Sequence, residues 1–376
     1  MDSEEFREWG KKMVDFVADM WDGIPQRTPL PDSSASDATL IAFYAARAKA
    51  VEGIKTNLSS SERKEDFEEA PESDVYLHPF HDPAVFNQLV AYCSDQAHSS
   101  VEKAAMLAGV RLRKLRSGID VAYGNYSVTA ATLEAAIKED RDRGLTPFIF
   151  IATIGTTNTC AVDPIAKLAP ICNREKIWVH VDAAYAGSFL LCPEFRSMAA
   201  GMELVDSFNY NAHKQMMINF DCSPLWLKDG KSAVKYFNVD PVYLKHEHQA
   251  TTADYRHLQV ALGRRFRSLK IWFVMRTLGI ENIQKMLRDS CHFADVFAQL
   301  IKDSMLFELF VPNYLGLVCF RLKKETNEVN EEFCEAINSD RRIHLVPSKQ
   351  KSEDHVRYAY EVITEIAQKL LDQKGH

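Results

Sequence analysis

Four short apolar runs, at residues 89–93, 147–153, 178–181 and 206–209, recur through the middle of this chain with helical patterns such as 131–143 and 165–174 between them. Runs with so little polar alternation suit strands that are covered on both faces. Strands alternating with helices in this rhythm build a mostly parallel sheet in an α/β fold. Ligands of such sheets collect beyond the carboxyl ends of the strands. His98, Thr157, Asp182 and Lys214 all follow strand-like runs, so the pattern predicts that four chemically useful side chains meet at one edge.

A chain of 376 residues with 46% hydrophobic content has apolar surface for one large core and a smaller second one. The formal net charge of -7, with no long Lys/Arg block, gives no electrostatic footprint for nucleic acid or an anionic membrane, so the expected partner is a small molecule. Eight cysteines without C-x-x-C spacing, several within apolar runs, read as buried thiols of a reducing compartment. Acidic residues near the start, no apolar core of a signal peptide and no membrane-length apolar segment make the cytoplasm the expected location.

Residues 2–22 place Phe6, Trp9, Met13, Phe16, Val17 and Met20 at helical spacing, with Asp2 and Glu5 arranged as a capping box. Pro25, Pro29 and Pro31 then form a stiff linker, which suits an arm that packs on another subunit. A helix is expected at 37–55 and a solvated loop at 57–74, with His78 and His81 as surface histidines. Helices at 268–277, 283–303 and 331–337 and strands at 316–322 and 343–346 read as a small α+β tail. The expected division is an arm and linker at 1–31, the main domain at 32–271 and a C-terminal domain at 272–376.

Lys214 and Asp182 carry the chemical expectation. A lysine that can condense with an aldehyde and a buried carboxylate that can keep a pyridine nitrogen protonated are the two parts pyridoxal phosphate chemistry requires. Alone, an Asp ending a strand is more often a cap, and a Lys beside a His more often a solvated charge. The small residues Ala183, Ala184, Ala186 and Gly187 around Tyr185 after Asp182, and the apolar run with Asn211 and His213 before Lys214, favour the functional reading. Ser33-Ser34-Ala35-Ser36 before the 37–55 helix offers hydroxyls and N–H donors to a phosphate, or equally an ordinary cap. Gly155-Thr156-Thr157 makes a second small hydroxyl-bearing turn, and the His98 imidazole is flat enough to stack on a ring.

Together the runs 94–102, 152–157, 180–187, 206–214, 219–222, 240–246, 263–270 and 316–322 resemble the group II pyridoxal phosphate decarboxylases, most closely the animal aromatic-L-amino-acid (DOPA) decarboxylases. The resemblance implies the type I fold of pyridoxal-phosphate-dependent transferases, a homodimer and decarboxylation of aromatic L-amino acids such as L-DOPA or 5-hydroxytryptophan. It further implies that Lys214 binds pyridoxal 5'-phosphate covalently, Asp182 pairs with the ring nitrogen and His98 stacks on the ring. Ser34, Ala35 and Ser36 would hold the phosphate, helped by Asn211 and His213, while Thr157 and Ala184 line the ring. Tyr243, in a mobile loop, matches the residue that protonates the substrate carbanion, and Gly263 stands where histidine decarboxylases tend to have Ser. Related insect aldehyde synthases carry Asn in place of His98, and plant counterparts carry Phe in place of Tyr243, so both positions favour plain decarboxylation. The chain departs from the family in the short stretch 25–32, where relatives carry a long segment. It also departs at 348–356, which stands in place of a small-domain strand, and at Ser33, Gln215, Leu258 and Ala261, where the family usually has Gly, Trp, Trp and Pro. A shortened form that binds cofactor or pairs with a full-length partner without turnover is the alternative these departures imply.

Overall fold

The computed structural model describes residues 35–61, 83–121, 123–230, 237, 260, 266–343 and 353–374. The expected arm at 2–22, its linker, His78 and His81 lie outside the described residues. Helix α1 (Ala35–Ser61) is followed by a helical turn at Pro83–Phe86, strand β1 (Leu89–Ser94), α2 (Ser99–Ala108) and β2 (Arg111–Leu115). A hairpin of β3 (Gly118–Asp120) and β4 (Asn125–Ser127) leads to α3 (Ala130–Asp142), β5 (Thr146–Thr153), α4 (Ile165–Arg174) and β6 (Trp178–Asp182). Short 3-10 segments connect β6 to β7 (Ser207–Asn209), a single turn at Ala212–Gln215 and β8 (Leu225–Leu227). The remainder comprises α5 (Arg267–Asp303), β9 (Phe307–Leu309), β10 (Phe320–Leu322), α6 (Asn327–Asp340) and α7 (Glu353–Lys374).

Six strands make one sheet in the order β2-β1-β5-β6-β7-β8, parallel except where β8 joins β7. Side chains alternate between faces along each strand. Ile149, Ile151 and Trp178 therefore pack with Phe43 and Ala46 of α1 and Val101 and Ala105 of α2. Phe150, Ala152, Val179 and Val181 pack on the opposite face with Leu133 of α3 and Leu168 and Cys172 of α4. Covering both faces is what makes residues 147–153 read as one apolar run rather than an alternating one. A separate cluster of Ile301, Phe307, Leu322, Phe333, Ile337 and Ile363 forms the core of the C-terminal elements.

Helix α1 continues past residue 55 to Ser61, through part of the expected loop, because nothing between Lys55 and Ser61 is Gly or Pro. The two helices expected at 268–277 and 283–303 are joined as α5, with a break at Gly279, whose φ of 70° and ψ of 164° are non-helical. The strand expected at 316–322 shrinks to β10, and Ile343 lies outside any strand, while 344–346 fall outside the described residues. Where relatives' small-domain strand was expected to be replaced, residues from Glu353 onward form α7.

Strand β2 escaped the apolar reading because it is an edge strand carrying Arg111, Arg113 and Lys114. Arg113 donates to the buried carboxylate of Asp140 at 2.8 Å, and the Tyr92 hydroxyl donates to the same group at 2.8 Å, tying α3 to β1 and β2. The cysteines are free thiols; Cys93, Cys160, Cys172, Cys192 and Cys222 are buried, but Cys334 is exposed. No helix among the described residues is long and apolar enough to cross a membrane.

Asp163 is a buried carboxylate that links β4 to β5, accepting the Val128 N–H at 3.0 Å and the Thr153 N–H at 2.9 Å. Burial outweighs both hydrogen bonds and pushes its pKa up to about 6. A carboxyl whose folded pKa lies above its unfolded value destabilises the fold at neutral pH, and the penalty shrinks progressively as pH falls from about 6 toward the ordinary value of 3.8. Thermal unfolding at pH 7 and pH 5 should show the wild type gaining about 1–2 kcal/mol relative to Asp163→Asn on acidification.

Candidate active site

Asp182 ends β6 and is 3% exposed. Its Oδ1 accepts the Ala184 N–H at 3.0 Å. Parallel pairing sets it beside Thr153 of β5 and Asn209 of β7. The following turn is hooked to the end of β7, since Ala183 N–H donates to the Asn209 carbonyl at 3.0 Å and Asn211 N–H to the Ala184 carbonyl at 3.1 Å. This approach needs Gly187, where a Cβ would overlap that of Tyr210 and lie 3.2 Å from that of Ala183. Gly155 is required in the turn after β5, having φ of 83° and only 2.7 Å between a built Cβ and that of Ala186.

Lys214 lies in the single helical turn after β7, and its N–H donates to the Asn211 carbonyl at 3.1 Å. The side chain is half-buried. Burial lowers its pKa below the ordinary lysine value, and the attraction of Asp182 opposes that shift. The amine and the carboxylate thus sense one another across the carboxyl edge of the sheet, and more of the amine is unprotonated than in water. Asn211 caps this turn from a buried position, with Oδ1 accepting from Ser223 Oγ at 2.8 Å. His213 Nδ1 accepts the Cys222 N–H at 3.0 Å, and its burial lowers the imidazole pKa. Further on, Arg267 grips Asp221 through two hydrogen bonds of 3.2 and 2.9 Å, fastening this segment to the start of α5.

His98 is an exposed residue that caps α2, its Nδ1 accepting the Ser100 N–H at 3.1 Å. That bond leaves the ring hydrogen on Nε2. Thr157 is exposed at the tip of the turn closed by the 2.9 Å bond from Ala161 N–H to Thr156 Oγ1, and Ala184 is partly exposed. The phosphate segment differs from expectation: α1 already begins at Ala35, so Ser36 sits in its first turn instead of ahead of it. Ser34, Tyr243 and Gly263, and the side chain of Ala35, lie outside the described residues.

Lys214, Asp182, Asn211 and Ala184 are therefore brought together by β6, β7 and the turns after them. They fit a pyridine aldehyde. A buried carboxylate held by one backbone N–H suits a cationic ring nitrogen, the half-buried amine suits an aldehyde carbon, and small residues between them leave room for a flat ring. The sequence reading missed the polar residues next to Asp182. His180, buried and two residues upstream, shares its face of β6, while Ser207 and Asn209 are their partners on β7. Polar residues at a spacing of two inside apolar strands were the available signal.

The pyridoxal-dependent decarboxylase conserved domain matches residues 6–323. The aromatic-L-amino-acid decarboxylase of Drosophila simulans is 46% identical over 327 residues, amounting to 87% of this chain and 59% of that protein. The Cavia porcellus protein of the same name is 43% identical over 354 residues, covering 90% of this chain and 68% of its own. This chain thus spans less than two thirds of the length of the fly protein. The crystal structure of Oryza sativa TDC with PLP and tryptamine superposes with a TM-score of 0.77 at 33% identity, covering 90% of this chain and 69% of that one.

Gly187→Ala forces the turn after Asp182 away from Tyr210. Overpacking of this kind should lower stability by about 1–3 kcal/mol, read as a reduced midpoint in thermal or urea unfolding.

Proposed function

The chain belongs to the pyridoxal-dependent decarboxylase family, and we propose that it decarboxylates aromatic L-amino acids of the L-DOPA and 5-hydroxytryptophan type to the corresponding amines. The observation that carries this reading is the placement of Lys214 and Asp182 at the ends of neighbouring strands on the carboxyl edge of the sheet, where the carboxylate's attraction acts on the half-buried amine. Bound there, pyridoxal 5'-phosphate supplies an electron sink for the pair left behind when the bond from Cα to the carboxylate breaks. Lys214 Nζ is the amine that holds the cofactor aldehyde and yields it to the substrate amine. The Asp182 carboxylate keeps the proton on the ring nitrogen by opposite-charge attraction.

His98 stacks over the ring, and Thr157 and Ala184 line it. Ser34, with Ala35 and Ser36 in the first turn of α1 and with Asn211 and His213, holds the phosphate, a role favoured by α1 packing across β5, β6 and β7. Tyr243 delivers a proton to Cα with help from His98, and Gly263 leaves space for a large aromatic ring. The cofactor is held by the domain at 32–271, the elements from 272 onward cover one side of it, and the arm at 1–31 pairs two copies into a cytoplasmic homodimer.

The short stretch at 25–32 and the departure at 348–356 favour a second reading, a chain that binds the cofactor or a longer partner without turning substrate over. Carbon dioxide release separates the two. With pyridoxal phosphate and L-DOPA, the purified chain should show visible absorbance that borohydride bleaches, and should form carbon dioxide and dopamine in equal amounts. Absorbance without carbon dioxide supports the second reading; aldehyde with ammonia and peroxide would indicate an aldehyde synthase. Lys214→Ala should lose both the absorbance and turnover. Asp182→Ala should keep the absorbance and lose turnover by on the order of 100-fold or more, as expected when a charge at the reacting group is removed.

A further inference from the structure

We propose that His180 is a positioning residue of this site: its ring hydrogen is set on Nε2 by Trp178 and Ser207, and it orients Asn209 within a one-way series of hydrogen bonds that joins the Asp182 strand to the Lys214 turn. The role assigned to the site rests on the cofactor reading above. The hydrogen-bond series rests on the burial and strand pairing of its own members.

Alternation along β6 puts Trp178, His180 and Asp182 on the face covered by α1, and parallel register places Ser207 beside His180 and Asn209 beside Asp182. Side chains so paired lie about 5 Å apart. Trp178 Nε1–H donates to Ser207 Oγ at 2.8 Å, and an indole nitrogen can only donate. Ser207 Oγ is also 2.8 Å from His180 Nδ1, the one other side-chain partner recorded for it among the described residues. Ser207 is 2% exposed. If Nδ1 carried the hydrogen, the Ser207 hydroxyl hydrogen would be buried without an acceptor, at a cost of about 1–3 kcal/mol. The hydroxyl therefore donates to Nδ1, and the imidazole hydrogen sits on Nε2.

Nε2 and Asn209 Oδ1 are both buried, and neither has a hydrogen bond of ordinary geometry. Asn209 follows Ser207 by two residues on the same face of β7, and its side chain acts on the His180 ring as a hydrogen-bond partner. A donor and an acceptor left over beside one another satisfy both by a small adjustment. With Oδ1 turned to His180, the Asn209 amide Nδ2 is left to donate to Ser223 Oγ at 3.4 Å. Ser223 Oγ donates in turn to Asn211 Oδ1 at 2.8 Å, and the Asn211 carbonyl accepts the Lys214 N–H at 3.1 Å. Every group from Trp178 to Ser223 donates forward, and Asn211 accepts both from Ser223 and from the Lys214 N–H; such series strengthen their own members.

The same burial keeps a competing cation away from Asp182. Desolvation outweighs the attraction of that carboxylate and holds the His180 pKa down to about 4, so the neutral ring leaves Asp182 available to Lys214 and to a ring nitrogen.

Long-range proton–nitrogen NMR of histidine-labelled protein at pH 7, with the His180 signal assigned through His180→Asn, reads the tautomer without cofactor or turnover. The expected result is a neutral ring with hydrogen on Nε2. Ser207→Ala should erase that preference and weaken binding of pyridoxal phosphate to the apo protein about fivefold to tenfold, the effect of one net hydrogen bond, and Ser207→Thr should restore both. A charged ring, hydrogen on Nδ1, or wild-type affinity in Ser207→Ala overturns the proposal. Should His180→Asn fail to fold, the change in one histidine signal between wild type and Ser207→Ala makes the assignment, and no such change also overturns it. Wild-type protein that binds no pyridoxal phosphate defeats the cofactor reading instead, and the tautomer alone then decides the hydrogen-bond series.

Discussion

The arrangement of this protein depends on one buried charge, the carboxylate of Asp182 at the carboxyl edge of a parallel sheet. A carboxylate withdrawn from water is costly unless hydrogen-bonded or paired. Here the first compensation is local, from the Ala184 N–H. The second comes from a different strand, because the turn after β7 carries Lys214 to a place where its amine feels the carboxylate. Neither compensation exists without the register that sets β6 between β5 and β7.

That register is held by apolar packing on both faces. Residues of β5 and β6 alternate between a layer made with α1 and α2 and a layer made with α3 and α4. A slip of one residue would exchange the two layers and move Asp182 to the wrong side of the sheet. The apolar cores therefore act on function through placement, and the polar row of Ser207, His180 and Asn209 is confined to the α1 face by the same alternation. Where the chain must approach itself most closely, at Gly155 and Gly187, the side chain is absent.

Strands β1, β5 and β6 and helices α3 and α4 were legible to within a residue because their patterns arise from burial on one or two faces. Strand β2 was not, since an edge strand is free to carry charge and here does so with Arg111, Arg113 and Lys114. The hairpin β3–β4 and strands β8 and β9, at three residues each, are too short to show a period. Within the site, Lys214, Asp182 and Asn211 were readable from their neighbours in the chain. His98 was read as a residue able to stack on a ring; its place as the cap of α2 emerges only from the Ser100 N–H that it accepts.

Local sequence by itself settled residue types and their order: an apolar strand ending in Asp182 and small residues, then another apolar strand leading to Asn211, His213 and Lys214. Tertiary structure alone decided which of these groups meet, which way the Asn209 amide faces and where the His180 hydrogen resides. The reason is that such choices depend on partners distant in the chain, such as Ser207 for both Trp178 and His180. No pattern within one strand encodes the direction of a hydrogen bond to its neighbour; that direction is set when the strands pair and water is excluded.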